Sequence, residues 1–353
     1  MSKPSLMLEI NIPAPGLRPG AGFLHAYTES LIKEIEACSE DLAEYDIKSI
    51  YIRNAGSAPD SDLIVLTRTL NHTLDISKAE KVIEIAPERI TTANFTTWRN
   101  FYTDIYRINL GSLNYVDFNH LGVKYDYNLH TWIGKLLSYS KMTNICVEHT
   151  LGLKGQSVPS LTDSLNRVMA LTPDAVCFIP QPQGAAPSKT PAAALLEAAN
   201  SYLLERDYHR VSLYEYAKPE KYSLHTILQN TDCEYWGLGY GAVSFIDGCI
   251  LTNTADVDKY ISAEGDADKL IARAVRLDEK SLMQNYAVRG LNAAAGLKLP
   301  DFADRFGNAM DPAFDRLISE GLAEAADDHL AITFEGAVNM PKVQQIISGT
   351  ADV

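Results

Sequence analysis

The stretch Leu6-Met7-Leu8-Glu9-Ile10-Asn11-Ile12 opens the chain with a short apolar run of strand type, and residues 23–39 follow it with a helical pattern. In that pattern Leu24, Tyr27, Leu31, Ile32, Ile35 and Ala37 recur close to a period of about 3.6 residues. The same pairing repeats outward from this first unit. Candidate strands lie at 47–52, 81–85, 105–110, 144–149 and 175–179, and candidate helices at 61–71, 92–99, 127–140, 160–170 and 191–205. Six strand–helix units in a row call for a parallel sheet with helices on the outside. They are fewer than a closed barrel uses, so the expected fold class is α/β, an open partial (β/α)6 TIM-like barrel. A doubly wound sheet is the alternative, but no Gly-x-Gly-x-x-Gly turn follows the first strand.

The texture changes after Arg206. Residues 211–216 read as a strand. Residues 235–253 place Gly237, Gly239, Gly241 and Gly248 among aromatic and β-branched residues, as a hairpin with tight turns does. Residues 266–288 read as one long helix, broken near 277–278. Short helices at 300–306 and 312–319 and a strand near 330–333 give a winged-helix-like ending. The expected division is a barrel over 1–209, a linker with strand and hairpin over 210–265, and a small helical domain over 266–353.

Composition narrows the functional classes. The 353 residues include 31 Lys and Arg against 45 Asp and Glu, a formal charge of −14. Such a chain repels phosphate backbones and anionic lipid surfaces, so neither nucleic acid nor membrane is an expected partner. Residues 301–353, which have the winged-helix pattern, hold ten acidic and three basic residues. That balance favours a packing or lid domain over DNA binding. No window reaches the length of an apolar spanning helix, and residues 1–12 lack the pattern of a signal peptide. The five cysteines, Cys38, Cys146, Cys177, Cys233 and Cys249, are scattered, with no Cys-x2-Cys pair. They fit a reducing cytoplasm, the expected location, and offer no local metal site.

Several turn segments, read in order, carry a resemblance. They are Glu9-Ile10-Asn11-Ile12-Pro13-Ala14-Pro15 with Pro19 and Gly22, then Ala55-Gly56-Ser57-Ala58-Pro59-Asp60, then Glu84-Ile85-Ala86-Pro87. Tyr106-Arg107-Ile108-Asn109-Leu110-Gly111 and Glu148-His149-Thr150-Leu151-Gly152-Leu153-Lys154-Gly155-Gln156-Ser157 follow. Tyr214-Glu215-Tyr216-Ala217-Lys218-Pro219 and Gly237-Leu238-Gly239-Tyr240-Gly241-Ala242-Val243-Ser244 complete the series. In this order and spacing the chain resembles the radical-SAM family of oxygen-independent coproporphyrinogen III oxidase, the haem chaperones and the haem-opening methyltransferases. The resemblance covers nearly the whole chain and implies the radical-SAM type of partial barrel.

The departures from that pattern bear on chemistry. The resemblance places the three cysteines of a Cys-x3-Cys-x2-Cys loop, which hold a [4Fe–4S] cluster, at Pro15, Pro19 and Gly22. None of these side chains can ligate iron, and the prolines stiffen the loop. No [4Fe–4S] cluster and no reductive cleavage of S-adenosylmethionine are therefore expected, and no catalytic residue is assigned. Of the glycine-rich cradle for S-adenosylmethionine only Gly56 remains, with Glu84, Gly152 and Gln156 from neighbouring loops. Residual binding of S-adenosylmethionine stays open. Glu84 also reads as a solvated strand-end carboxylate.

His225 stands fourteen residues before Gly239, as a histidine does in haem-linked members, although Thr226, Gln229 and Asn230 replace their Asn, Tyr and Trp. It is the candidate axial ligand of a haem iron; a hydrogen-bonded structural histidine is the alternative. Glu148 and His149, adjacent on a strand, should point to opposite faces. Arg107, inside a strand, needs a carboxylate such as Glu84 or Glu148, or an anionic ligand such as a propionate. The tyrosines between 102 and 127 either line a cavity for a flat ligand or pack the core. Three functions remain. The first is a cluster-less protein, not an enzyme of the radical class, that binds a tetrapyrrole (haem or a porphyrin) in the barrel mouth. The second is a group-transfer enzyme using S-adenosylmethionine without a cluster. The third is a silent subunit of an active radical-SAM paralogue.

Overall fold

The structure is a computed structural model that describes residues 3–14, 17, 21–120, 131, 133, 134, 144–181 and 188–349. The strands of the main sheet, in chain order, are β1 Ser5–Asn11, β2 Asp46–Arg53, β3 Glu80–Ile85, β4 Ile105–Gly111, β5 Ile145–Leu151, β6 Ala175–Pro180, β7 His209–Arg210, β8 Glu215–Ala217, β9 Glu234–Leu238, β10 Val243–Ile246, β11 Cys249–Asn253 and β12 Ile271–Arg276. All six expected barrel strands are present, each within about two residues of its expected bounds. Helices Ala21–Ala37, Asp60–Thr73, Thr92–Asn100, Val158–Met169 and Ala192–Leu204 separate them. The helix expected over 127–140 falls almost entirely outside the described residues.

Local chemistry sets the helix starts. Thr91 and Asn94 exchange side-chain and backbone hydrogen bonds as a capping box, and Ser157 and Ser160 do the same. Each box satisfies amides that the first turn leaves without intrahelical partners. Pro159 in the first turn adds a fixed φ where no amide is needed.

The chain divides into two compact units. The first comprises Met1–Asn109, Ser223–Leu228 and Cys233–Leu277. Its strands run in the order β12-β11-β10-β9-β1-β2-β3-β4, parallel from β9 to β4 and antiparallel from β9 outward to β12. Apolar side chains Leu6, Leu8, Ile10, Ile50, Ile52 and Ile83 form its core and are completely buried. At about 25 cal/mol per Å² of apolar surface removed from water, such residues dominate the stabilisation. The second unit comprises Leu110–Tyr222, Gln229–Asp232 and Asp278–Val353. In it β5 and β6 are parallel, and β8 pairs antiparallel with both β6 and β7. Its C-terminal part is mainly helical, with Glu279–Leu291, Leu299–Phe306, Asp311–Ser319, Phe334–Val338 and Met340–Ser348 around a small antiparallel sheet of Leu297–Lys298, His329–Ile332 and Ala323–Ala326. Two helices followed by a hairpin is the winged-helix-like order.

One expected element is corrected. Residues 266–277 are not the first half of a long helix. Asp266 caps only the four-residue turn Ala267–Leu270, and Ile271–Arg276 then joins the sheet antiparallel to β11. The β-branched Ile271 and Val275 favour the extended chain, and a partner strand was available to pair with it.

The Gly237-Leu238-Gly239 segment is fixed by a buried carboxylate. Glu34, on the first helix, accepts hydrogen bonds from the Gly239 amide (2.9 Å), the Tyr260 hydroxyl (2.6 Å) and the Asn253 side-chain amide (2.7 Å). Gly239 has φ +102°, and a Cβ there would lie 2.5 Å from the Asn11 carbonyl oxygen and 2.6 Å from the Tyr27 hydroxyl. Tyr27 itself donates to that carbonyl and accepts from the Tyr240 amide. Gly241 also has a positive φ of +62°, but its Cβ would meet only ordinary contacts at 3.9 Å. Gly239→Ala should therefore cost about 2–4 kcal/mol through strain and steric conflict. Gly241→Ala should cost only about 1 kcal/mol, through strain alone. Urea denaturation of both variants, followed by intrinsic fluorescence, to which Trp98 and Trp236 of the first unit contribute, checks the difference.

Candidate functional site

Side-chain alternation along β1–β4 sorts charge from apolar bulk. In register, Glu9 lies opposite Tyr51, Tyr51 opposite Val82, and Glu84 opposite Arg107. Glu9, Ser49, Tyr51, Arg53, Glu84 and Arg107 thus share one face, and the buried isoleucines and leucines take the other. Charges on such a face have to neutralise one another. Arg53 donates to Glu9 (3.1 Å) and lies 3.9 Å from Glu84. The Tyr51 hydroxyl donates to Glu84 (3.0 Å), and the guanidinium groups of Arg53 and Arg107 stand 4.8 and 5.8 Å from the Tyr51 ring. Arg107 is 7% exposed, whereas the Arg53 side chain is 40% exposed at the C-terminal end of β2.

His225 is brought to this face by the short helix Leu224–Gln229. Glu80 holds the start of that helix, accepting from the Ser223 hydroxyl and the amides of Leu224 and His225 at 2.7–3.0 Å. The imidazole is buried, 5.0 Å from the Tyr51 ring. Its Nδ1 lies 2.9 Å from the Ser49 hydroxyl and its Nε2 3.6 Å from a Glu9 carboxylate oxygen. Both ring nitrogens therefore face protein groups. Burial alone would raise the Glu9 carboxyl. The hydrogen bond to His225 and the charge of Arg53 outweigh burial and hold the carboxyl down at about 2.

The other residues singled out in the sequence divide by role. Gly56 packs closely: a Cβ there would lie 2.8 Å from Arg89 Cβ and 3.0 Å from Ile85. Gly237 is equally crowded, against the backbone of Val243. Gly152 needs its φ of +83°, and an added Cβ would meet only ordinary contacts. Gln156 turns back on the same loop, its side-chain carbonyl accepting from the amides of Gly152 (2.8 Å) and Leu153 (3.3 Å). Gly22 faces open space at the start of the first helix. Pro15 and Pro19 lie outside the described residues.

In the second unit Glu148 and His149 do alternate. His149 is completely buried, with its Nε2 2.7 Å from the Ser164 hydroxyl and its Nδ1 2.9 Å from the Thr150 carbonyl. Desolvation pushes its pKa down to about 4, so the ring is neutral at pH 7. Glu148, also buried, adjoins it on β5, where strand alternation sends neighbouring side chains to opposite faces. The tyrosines give a mixed result: Tyr106 is buried against Phe95, whereas Tyr102 and Tyr115 are exposed.

Sequence reading missed Tyr51, Arg53 and Glu34, although the period-two polar series Ser49-Tyr51-Arg53 was a usable signal for the first two. It also missed Asp117, which is fully buried. One Asp117 oxygen accepts from Ser112 (2.8 Å) and Gln156 (3.3 Å), and the other has no hydrogen-bond partner among the described residues. Among the described residues no three His, Cys, Asp or Glu side chains converge as a metal-ion site, and no helix is long and apolar enough to cross a membrane.

No family model matches the chain. The chain is 20% identical over 352 residues to the haem chaperone HemW of Bacillus subtilis (strain 168), covering 90% of this chain and 89% of that protein. It is 22% identical over 339 residues to HemW of Lactococcus lactis subsp. lactis (strain IL1403), covering 90% and 86%. Its fold superposes on the coproporphyrinogen III oxidase HemN of Escherichia coli, a radical-SAM enzyme, with a TM-score of 0.79 at 16% identity, over 99% of this chain and 91% of that one. Over nine-tenths of its length the chain is thus similar in sequence to the haem chaperones of the coproporphyrinogen III oxidase-like radical-SAM group, and it has the fold of coproporphyrinogen III oxidase HemN.

Proposed function

We propose that this chain binds a tetrapyrrole at the charged face of its sheet and does not perform radical-SAM chemistry. The observation that carries the proposal is a contrast. The chain is related to haem chaperones over nine-tenths of its length, yet it has Pro15, Pro19 and Gly22 where the family pattern has cluster cysteines. Those side chains offer iron no donor, so the residues present do not fit a [4Fe–4S] cluster. The retained family residues have work in the fold itself. Gly56 fits a crowded contact, Gly152 and Gln156 close one loop, and Glu84 receives Tyr51. Their retention therefore requires no bound S-adenosylmethionine.

Recognition would rest on Arg53. It combines a fixed position, through Glu9, with an exposed guanidinium that can pair with a propionate. Ligation of haem iron by His225 would require the ring to leave Ser49 and Glu9. Binding should thus depend on the macrocycle and its carboxylates more than on iron.

The test is an absorbance titration of the full chain with haem and, separately, with metal-free coproporphyrin. Both should saturate near one equivalent with affinities within about tenfold of each other. Arg53→Ala should weaken both by about tenfold, or on the order of 1.4 kcal/mol. His225→Ala should leave both within about threefold of the parent, circular dichroism confirming that the variant is folded. Saturation by neither ligand contradicts tetrapyrrole binding. Binding of haem alone, lost in His225→Ala, contradicts recognition through Arg53 and assigns the iron to the histidine.

The Glu9 carboxyl also predicts a pH dependence. Because its pKa falls from 4.5 in the unfolded chain to about 2 in the fold, its contribution is full above about pH 4.5 and is lost as pH falls toward 2. Glu9→Gln should cost on the order of 3 kcal/mol at pH 7, and this difference should shrink steadily below pH 4.5 in urea denaturation series.

A further inference from the structure

The first unit contains a cavity of about 330 Å³, at the lower end of small-molecule site volumes. It lies between the first helix and the extension of the sheet through β9–β11. Trp236 is opposite Leu8 in the β1–β9 register, and Gly237 is opposite Glu9. Trp236 and Leu238 therefore sit on the apolar face, away from the Glu9–Arg53 cluster. The walls are mainly apolar, with Trp236, Leu238, Leu251 and Leu270 contributing.

The charged groups of the lining have one sign. Glu34, Asp41 and Asp266 contribute to it, and among the described residues lining the cavity none is Lys, Arg or His. Asp266 is engaged by Lys269 at 2.8 Å, whereas Glu34 and Asp41 form no ion pair among the described residues. Glu34 is 6% exposed, and its oxygens accept three hydrogen bonds, two on Oε2 and one on Oε1. Since each carboxylate oxygen has two lone pairs, Oε1 keeps acceptor capacity. Three donors do not fully offset burial, which raises this carboxyl. A cation beside it would relieve that cost.

We infer that this cavity is a binding site for a small protonated amine with a flat apolar body, its ammonium directed to Glu34 and Asp41 and its body lying against Trp236 and Leu251. An indole or phenyl body suits the apolar walls, and the ammonium gains from both carboxylates and from the aromatic face of Trp236. A carboxylate on the same body would be repelled. The site shares no residue with the charged face and does not depend on tetrapyrrole binding.

The test is calorimetric titration of the full chain with tryptamine and with indole-3-propionate, which offers a similar body with the opposite charge. Tryptamine should saturate at one per chain, and indole-3-propionate should bind at least about tenfold more weakly. Leu251→Trp, which fills the cavity, should abolish tryptamine binding. Asp41→Asn, at an exposed position, should weaken it by about threefold with the fold intact. No saturation by tryptamine, equal binding of the two compounds, or undiminished binding to Leu251→Trp would each overturn the inference.

Discussion

The charged face of the parallel sheet can exist only because its charges are paired across neighbouring strands. Arg53 on β2 stands between Glu9 on β1 and Glu84 on β3, at 3.1 and 3.9 Å. Removing Arg53 takes a cation from both carboxylates, and a partly buried charge that loses such a partner costs more than the pair itself contributes. The register of β1–β4 makes the pairing possible, and a slip of one residue would send every charge to the apolar face. His225 joins the same cluster from outside the strand series, held in place by Glu80 and Ser49. The segment after the barrel thus completes the face that the first strands begin.

The proposed function separates the fold of this chain from radical-SAM chemistry. Glycines at crowded positions fit contacts that an added Cβ would break, whatever the ligand. Gly237 and Gly239 belong to this class, as does Gly56. Gln156 is kept because two amides of its own loop depend on it. In the proposal, the positions that the resemblance assigns to cluster ligands carry Pro15, Pro19 and Gly22, whose side chains offer iron no donor.

Much of the fold was legible in the sequence. The apolar strand runs and the helices between them gave the strand–helix order, since short apolar runs and amphipathic periodicity have distinct signatures. Residues 266–277 were misread because Ile271–Arg276 has exposed side chains and gains its structure from β11, a partner distant in sequence. The site was less legible. His225, Glu84 and Arg107 were found by motif position, and the structure brings all three to one face of the first unit. Arg53 and Tyr51 lie outside any motif, and their importance comes from cross-strand register. Glu34 reads as an ordinary helix carboxylate until Gly239, Asn253 and Tyr260 are folded around it. Burial of that kind leaves no local signature.

The most direct measurement is anaerobic reconstitution of the full chain with iron and sulfide, followed by an assay for reductive cleavage of S-adenosylmethionine. A scaffold kept without its iron ligands predicts no stable cluster absorbance and no cleavage product above the protein-free control. A cluster that survives desalting and cleaves S-adenosylmethionine would contradict the separation of fold from chemistry on which this account rests.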